Sequence, residues 1–205
     1  MSTVRYVPAL AELGVMGMNL PERWGGPGAT PTALVLSLAA IAQACTATAS
    51  MIGAHYLATD SLLIGGDDAL RERYLPDAAS GAKLGAFALT EPRAGSNPAD
   101  MATRAVREGD HYHLSGTKHF ISNAGEADFI VVYAKTDPAA GHRGISAFVV
   151  DKGTPGLQIS APEKLMGIRG GHAFEVALDC RVPATQRLGD EGTGFHTAMK
   201  VLDNS

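Results

Sequence analysis

The first 80 residues carry apolar side chains at helical spacing and are rich in Ala and Leu. Pro8 can begin a first helix with Leu10, Leu13 and Val15 on its apolar side, and Gly17 can end it. This part of the chain is therefore predicted to be helical.

Three more helices are predicted before residue 80. Pro31 suits the first position of a helix, and residues 33–45 are apolar on nearly every face, which predicts burial on most sides. The next helix covers residues 48–64 and ends at a pair of glycines. Asp67 can cap a short helix that Pro76 is expected to stop.

Beyond residue 80, alternating apolar and polar positions with many β-branched and aromatic residues predict strands. No helical stretch separates them, which favours an antiparallel sheet or barrel over a parallel α/β sheet. The predicted strands are residues 83–90, 102–108, 112–122, 129–135, 145–151 and 174–182.

The chain ends in a helical pattern. Phe195, Ala198, Met199 and Leu202 share one helix face, and the sequence stops at Ser205 within that pattern. We expect this helix to be the first of a truncated helical domain; a short helix docked on its own domain is the alternative.

Together these patterns predict an α+β chain. An N-terminal helical domain over residues 1–80 is followed by an antiparallel β-barrel or sandwich domain over residues 81–190. Residues 191–205 then begin a C-terminal helical domain that the chain does not complete.

Composition narrows the class of protein. The chain has 205 residues, 45% hydrophobic and 19% charged, with a formal net charge of −4, which is a globular balance. The chain has no cluster of Lys and Arg residues, so a nucleic-acid partner is not expected. Cys45 and Cys180 lie too far apart in sequence for a C-x-x-C motif, so a reducing, cytoplasmic setting is expected.

Membrane and metal binding are not expected either. The N-terminus has no secretory signal, and the longest apolar run, residues 33–45, is shorter than the roughly 20 residues that span a bilayer. His111 and His113 could share one strand face, but no third ligand has matching spacing, so no metal site is predicted.

Two stretches carry candidate chemistry. In FALTEPRAGSN, a strand leads into a loop where Gly95 permits close backbone approach and Thr90 and Ser96 offer hydroxyl groups to a ligand. In GTKHFISNAG, Phe120 and Ser122 would project from one strand face, as a platform and a hydrogen-bonding group for a flat cofactor ring. Taken singly, each could also be an ordinary turn or an amphipathic strand.

Five stretches in order resemble the acyl-CoA dehydrogenases: LAELGVMGMNLPERWGGPG, FALTEPRAGSN, GTKHFISNAG, EKLMGIRG and RVPATQRLGDEGTGFHTAMKVLD. That family has an N-terminal helical domain, a middle antiparallel β-domain and a C-terminal four-helix domain. Its members bind FAD, oxidise acyl-CoA thioesters to trans-2-enoyl-CoA in fatty acid β-oxidation, and pass electrons to an electron-transfer flavoprotein. The resemblance implies these properties here, with a homodimer or homotetramer for the full-length subunit.

The resemblance also implies roles for individual residues. Thr90 would bond the pyrimidine side of the flavin, Ser122 its N5, and Ser96 both cofactor and acyl-CoA, while Asp203 would reach the CoA substrate. Phe120 replaces the usual Trp. The implied cofactor-binding residues are Phe87, Ala88, Leu89, Thr90, Glu91, Gly95, Ser96, Phe120, Ile121 and Ser122.

No catalytic residue is assigned. Dehydrogenation needs a carboxylate base for the α proton, and the position that carries it in a minority of the family is Ser205 here. We therefore expect the isolated chain not to oxidise acyl-CoA. The resemblance also implies that a second wall of the FAD site comes from C-terminal helices and a neighbouring subunit, so we expect the isolated chain to retain FAD weakly or not at all. A non-catalytic acyl-CoA- or flavin-binding or interaction module, or an inactive gene fragment, are the alternatives.

Overall fold

The computed structural model of the protein describes Ser2–Asp203. Within that part of the chain there are four α-helices, α1 (Val7–Glu12), α2 (Pro31–Gly65), α3 (Asp68–Ala79) and α4 (Gly194–Asp203). Short 3-10 helices lie at Thr3–Tyr6, Val15–Gly17, Glu22–Trp24, Pro98–Asp100, Pro138–Gly144 and Ala184–Gln186. The strands are β1 (Gly85–Ala88), β2 (Arg104–Glu108), β3 (His111–Ser122), β4 (Phe129–Lys135), β5 (Ile145–Asp151), β6 (Leu157–Ile159), β7 (Ala173–Pro183) and β8 (Arg187–Leu188).

The strands form one mixed sheet between two helical ends, which confirms the α+β class. Its order is β6-β7-β3-β2-β4-β5-β8, and β1 pairs with β4 outside this path. The antiparallel prediction fails at β4, which has two parallel neighbours. Strand β1 runs parallel to it from Gly85↔Phe129 to Ala88↔Val132, and β2 meets it in parallel at Arg104↔Lys135. The hairpin β2–β3 intervenes between β1 and β4, so the chain can return in the same direction without a crossover helix.

The two faces of the sheet bury different cores. One face encloses side chains from β1, β2, β3, β4, β5 and β7, among them Tyr112, Phe148 and Cys180. On the other face, Val131 of β4 and Val149 of β5 pack against α2, α3 and α4. Strands β4 and β5 are covered on both faces of the sheet, and both faces therefore carry mostly apolar side chains.

Helix α2 joins two of the predicted helices. Thr30 accepts a hydrogen bond from the Ala33 N–H at its start, and Cys45 leaves helical geometry with φ −157° and ψ 97°. The second half packs on the sheet. The first half is not buried as predicted, because no other described element covers its outer face: Val35 and Leu36 are 62% and 64% exposed.

By length and hydropathy alone α2 could cross a membrane. The sequence did not predict this, because the apolar run at residues 33–45 is much shorter than the whole helix. The helix has 35 residues and a window of mean hydropathy 1.6, 22% of which is buried inside the protein. In its second half, buried Met51, Ile52 and Leu62 belong to the protein's own cores.

Helix α3 passes through Pro76 instead of ending there. The proline lies in the last turn and is exposed, as is Glu72, whose carbonyl loses the N–H that Pro76 lacks. Water can satisfy that carbonyl, so the helix continues to Ala79.

Candidate functional site

A cavity of about 470 Å³ lies where β3 and the loop after β1 meet α2 and α4. Its walls are mostly apolar, and the polar groups on them are small. The lining residues are Ala54, Leu57, Phe87, Leu89, Thr90, Gly95, Ser96, Pro98, Phe120, Ile121, Ser122, Met199 and Leu202.

The structure brings most of the predicted cofactor-binding residues onto this one cavity. Two of them do not line it, namely Ala88 and Glu91. Ala88 is fully buried in the core enclosed by the sheet, because alternate residues of β1 face opposite ways. The predicted residues that do line the cavity are Phe87, Leu89, Thr90, Gly95, Ser96, Phe120, Ile121 and Ser122.

Asp203, the predicted substrate-binding residue of α4, does not lie on the same cavity as Ser96. It borders a separate cleft with Asn19 and Asp60, whereas Met199 and Leu202 of the same helix face the cavity. The geometry thus separates the two predicted substrate contacts.

Phe120 reaches the cavity through an irregularity in β3 rather than by simple alternation. The β3–β7 register shifts between Lys118 and Ile121, and Phe120 has a φ of 58°. This conformation is uncommon for a bulky residue, and such strained residues cluster at functional sites. Phe120 is 58% exposed, and its ring stacks on His119 with centroids 4.2 Å apart. His119 Nε2 in turn lies 3.1 Å from Glu163 Oε1.

Three hydroxyl groups on the cavity wall are free to bind a ligand. Within Ser2–Asp203, the side chains of Thr90, Ser96 and Ser122 have no hydrogen-bond partner in the protein. An exposed aromatic ring, apolar walls and small hydroxyl groups fit a flat, partly polar ring system such as a flavin. None of the described lining residues carries a carboxylate.

Sequence reasoning missed Lys118, which lies behind the cavity wall. Its side chain is fully buried, with Nζ 2.8 Å from Glu91 Oε1 and 3.0 Å from the Leu89 carbonyl oxygen. Burial lowers the pKa of Lys118 to about 8, against the opposing effect of the Glu91 carboxylate. The sequence did contain a sign of this lysine's unusual position. Lys118 follows Leu114 and Gly116 at two-residue spacing, on the strand face that is otherwise apolar and predicted to point into the core.

The carboxylate of Glu91 holds the loop from behind the cavity wall. It accepts hydrogen bonds from the N–H groups of Ala102, at 2.6 Å, and Thr103, at 3.1 Å. Burial acts to raise the pKa of Glu91, but the Lys118 ammonium and these hydrogen bonds outweigh it, and the pKa is lowered.

Most of the chain matches the sequence models of one enzyme family. Residues 3–82 match the sequence model described as acyl-CoA dehydrogenase, N-terminal domain, and residues 86–180 match that of the middle domain. The acryloyl-CoA reductase (NADH) of Anaerotignum propionicum is 41% identical over 96% of this chain and 50% of its own length. An acyl-CoA dehydrogenase of Bacillus subtilis is 38% identical over 97% of this chain and 53% of its own length. The chain spans about half the length of the curated relatives it matches.

Solved structures share the fold. A chain solved in work on the electron transferring flavoprotein of Acidaminococcus fermentans matches with a TM-score of 0.96 and 36% identity, over 100% of this chain and 54% of that one. The acyl-CoA dehydrogenase of Bacillus anthracis complexed with FAD matches with a TM-score of 0.91 and 36% identity, over 98% and 35%. With both halves of the sequence and the whole fold in agreement, the chain belongs to the acyl-CoA dehydrogenase family.

Proposed function

We propose that the protein containing this chain is an FAD-dependent acyl-CoA dehydrogenase, which forms trans-2-enoyl-CoA from an acyl-CoA thioester. The observation that carries the proposal is the single cavity that collects Thr90, Ser96, Phe120 and Ser122. The FAD complex of the Bacillus anthracis relative supports the choice of cofactor.

The residues of this chain would bind and orient the flavin and the acyl chain of the substrate. Phe120 offers its ring face to a flat cofactor, while Thr90 and Ser122 offer hydroxyl donors to ring heteroatoms. When bound, the flavin supplies the acceptor for the hydride from the β carbon. Ala54, Leu57 and Leu202 form an apolar wall that excludes water from an acyl chain.

The α proton needs a base that the described cavity wall does not carry. Ser205, the position at which a minority of the family carries that base, lies outside the described residues. We propose that the carboxylate comes from a part of the protein beyond Ser2–Asp203.

Partners and setting extend the same proposal. An electron-transfer flavoprotein is the proposed electron acceptor, supported by the match to a chain solved in work on such a protein of Acidaminococcus fermentans. We further propose a homodimer or homotetramer acting in fatty acid β-oxidation, on the strength of the family membership. A cytoplasmic setting is proposed because Cys45 and Cys180 are both free thiols.

The proposed activity can be tested by following the visible absorbance of the flavin under anaerobic conditions. The longest in-frame polypeptide that contains this sequence would be purified, loaded with FAD and mixed with acyl-CoAs of several chain lengths. Bleaching of the flavin band near its visible maximum by at least one acyl-CoA is the expected result. FAD binding without bleaching by any thioester would favour the non-catalytic binding module, and no FAD binding would contradict both.

A further inference from the structure

The loop after β1 and strand β3 form two walls of the cavity, and buried polar contacts join them. Lys118 Nζ donates to the Leu89 carbonyl oxygen at 3.0 Å, and the next residue, His119, donates its backbone N–H to the Thr90 carbonyl oxygen at 2.9 Å. Two consecutive carbonyls of the loop are thus held by two consecutive residues of β3. These bonds fix the spacing between Thr90 and Phe120 across the cavity.

The same ammonium also holds the rest of the loop. Lys118 Nζ lies 2.8 Å from Glu91 Oε1, and Glu91 forms a backbone bridge with Ala94, with hydrogen bonds of 3.0 and 3.1 Å in the two directions. The Glu91 carboxylate further binds the N–H groups at residues 102 and 103. Gly95 and Ser96 therefore follow a turn that is anchored from behind the cavity wall.

A fully buried lysine is costly unless its charge is paired and hydrogen-bonded. An apolar side chain at position 118 would fill the same space, as the neighbouring core positions Leu114 and Ile121 do. The lysine makes polar contacts that such a residue could not make, and all of them go to the loop: Leu89 O, Glu91 Oε1 and, more distantly, Met101 Sδ at 3.9 Å.

We infer that Lys118 is a positioning residue for the flavin site: its ammonium binds the Leu89 carbonyl and the Glu91 carboxylate, and so holds Thr90 and Ser96 at a fixed distance from Phe120 and Ser122. The inference rests on the proposed function. A positioning role differs from a purely stabilising one in its consequences: loss of Lys118 should affect FAD binding more strongly than it affects the stability of the fold.

The test uses FAD and the longest in-frame polypeptide that contains this chain. Quenching of flavin fluorescence gives the dissociation constant, and visible circular dichroism reports the orientation of the bound ring. Lys118→Met should weaken FAD binding at least tenfold and reduce the induced dichroism. Leu114→Ala, on the same strand and equally buried, is the matched control. It should lower the unfolding midpoint in urea while leaving the dissociation constant within twofold of the parent.

A double variant, Lys118→Met with Glu91→Gln, leaves no buried charge unpaired and serves if the single variant does not fold. It should also bind FAD at least tenfold more weakly, because the Leu89 carbonyl stays unheld. Dissociation constants within twofold of the parent for a folded Lys118 variant would overturn the role of Lys118 alone. No quenching by the parent polypeptide at any FAD concentration would contradict the proposed flavin site, and this role with it.

Discussion

His55 of α2 accepts a hydrogen bond at 3.0 Å from the backbone N–H of Gly85, the first residue of β1. Its other nitrogen, Nε2, lies 3.3 Å from the carbonyl oxygen of Ala78 near the end of α3. The ring must be neutral, with its proton on Nε2, to make both contacts. One buried imidazole therefore joins two helices to the edge of the sheet.

This contact predicts a dependence of stability on pH. Burial lowers the pKa of His55 to about 4, from 6.5 in the unfolded chain. The unfolded state thus binds a proton first, so stability is full above pH 6.5 and falls as the pH drops towards 4, by about 3 kcal/mol in all. Urea unfolding at pH 7 and pH 4.5 measures it.

The control for that experiment is His55→Gln, whose amide can replace both contacts but cannot take up a proton. We expect it to be about 1–2 kcal/mol less stable than the parent at pH 7. The gap should close as the pH falls, because only the parent loses the contribution of the neutral ring. Parallel pH curves for the two proteins would show that His55 does not titrate as described.

Asp60 predicts a pH dependence of stability opposite to that of His55. It lies in the cleft between α2 and the loop at Asn19, whose Nδ2 donates to its carboxylate at 2.7 Å, and burial raises the pKa of Asp60 to about 6. A carboxyl with a raised pKa disfavours folding when ionised, so Asp60→Asn should stabilise the chain by about 1–3 kcal/mol at pH 7.5.

That gain should disappear near pH 4, where Asp60 is protonated in the folded chain and the parent no longer bears the buried charge. Glu72→Gln, an exposed position on α3, is the control and should change stability by less than about 0.5 kcal/mol at either pH. A stabilisation by Asp60→Asn that is equal at pH 7.5 and pH 4 would contradict the assignment.

Two glycines of neighbouring elements should respond oppositely to alanine. A Cβ at Gly85 would lie 2.7 Å from Phe129 Cζ and 2.8 Å from Ala58 Cβ, so Gly85→Ala should cost about 1–3 kcal/mol. A Cβ at Gly53, inside α2, meets nothing within 4 Å, so Gly53→Ala should stabilise by about 0.5–1 kcal/mol. Thermal unfolding of both variants decides it, and equal midpoints would be inconsistent with close packing of β1 on α2.

Ser122→Ala tests the cavity itself. Loss of one unpartnered hydroxyl that faces the cavity should raise the FAD dissociation constant about 2- to 10-fold, the equivalent of one neutral hydrogen bond. Ser115→Ala, on the same strand but away from the cavity, should leave it unchanged. A stronger effect at Ser115 than at Ser122 would place the flavin elsewhere.

Much of the fold could be predicted from the sequence because its long elements are strongly periodic. Strands β4 and β5 occur at the predicted residues, since continuous β-branched runs leave little choice of boundary. The short strands β6 and β8, of three and two residues, were missed because they carry no periodic signal of their own. The parallel pairing of β1 was also out of reach, because it depends on tertiary packing rather than on local pattern.

The candidate site was predictable as motifs but not as a surface. Ser122 and Phe120 were chosen for an i, i+2 relationship, yet Phe120 reaches the cavity through a bulge and a positive φ. Leu57, which helps to complete the wall, comes from a distant helix with no motif to mark it, and Met199 was noted only as part of an apolar helix face. Lys118 needed the three-dimensional contact with Glu91 before its role could be considered.

The core on the helical side of the sheet has a consequence for protein engineering. Leu62 of α2, Tyr74 of α3, Tyr133 of β4 and Ala198 of α4 belong to one continuous buried cluster. The segments that match the two family domains therefore share a single interior and should melt together. A chimera that joined the helices of one relative to the sheet of another would have to co-design that interior, whereas a graft confined to the cavity-lining loop would leave it intact.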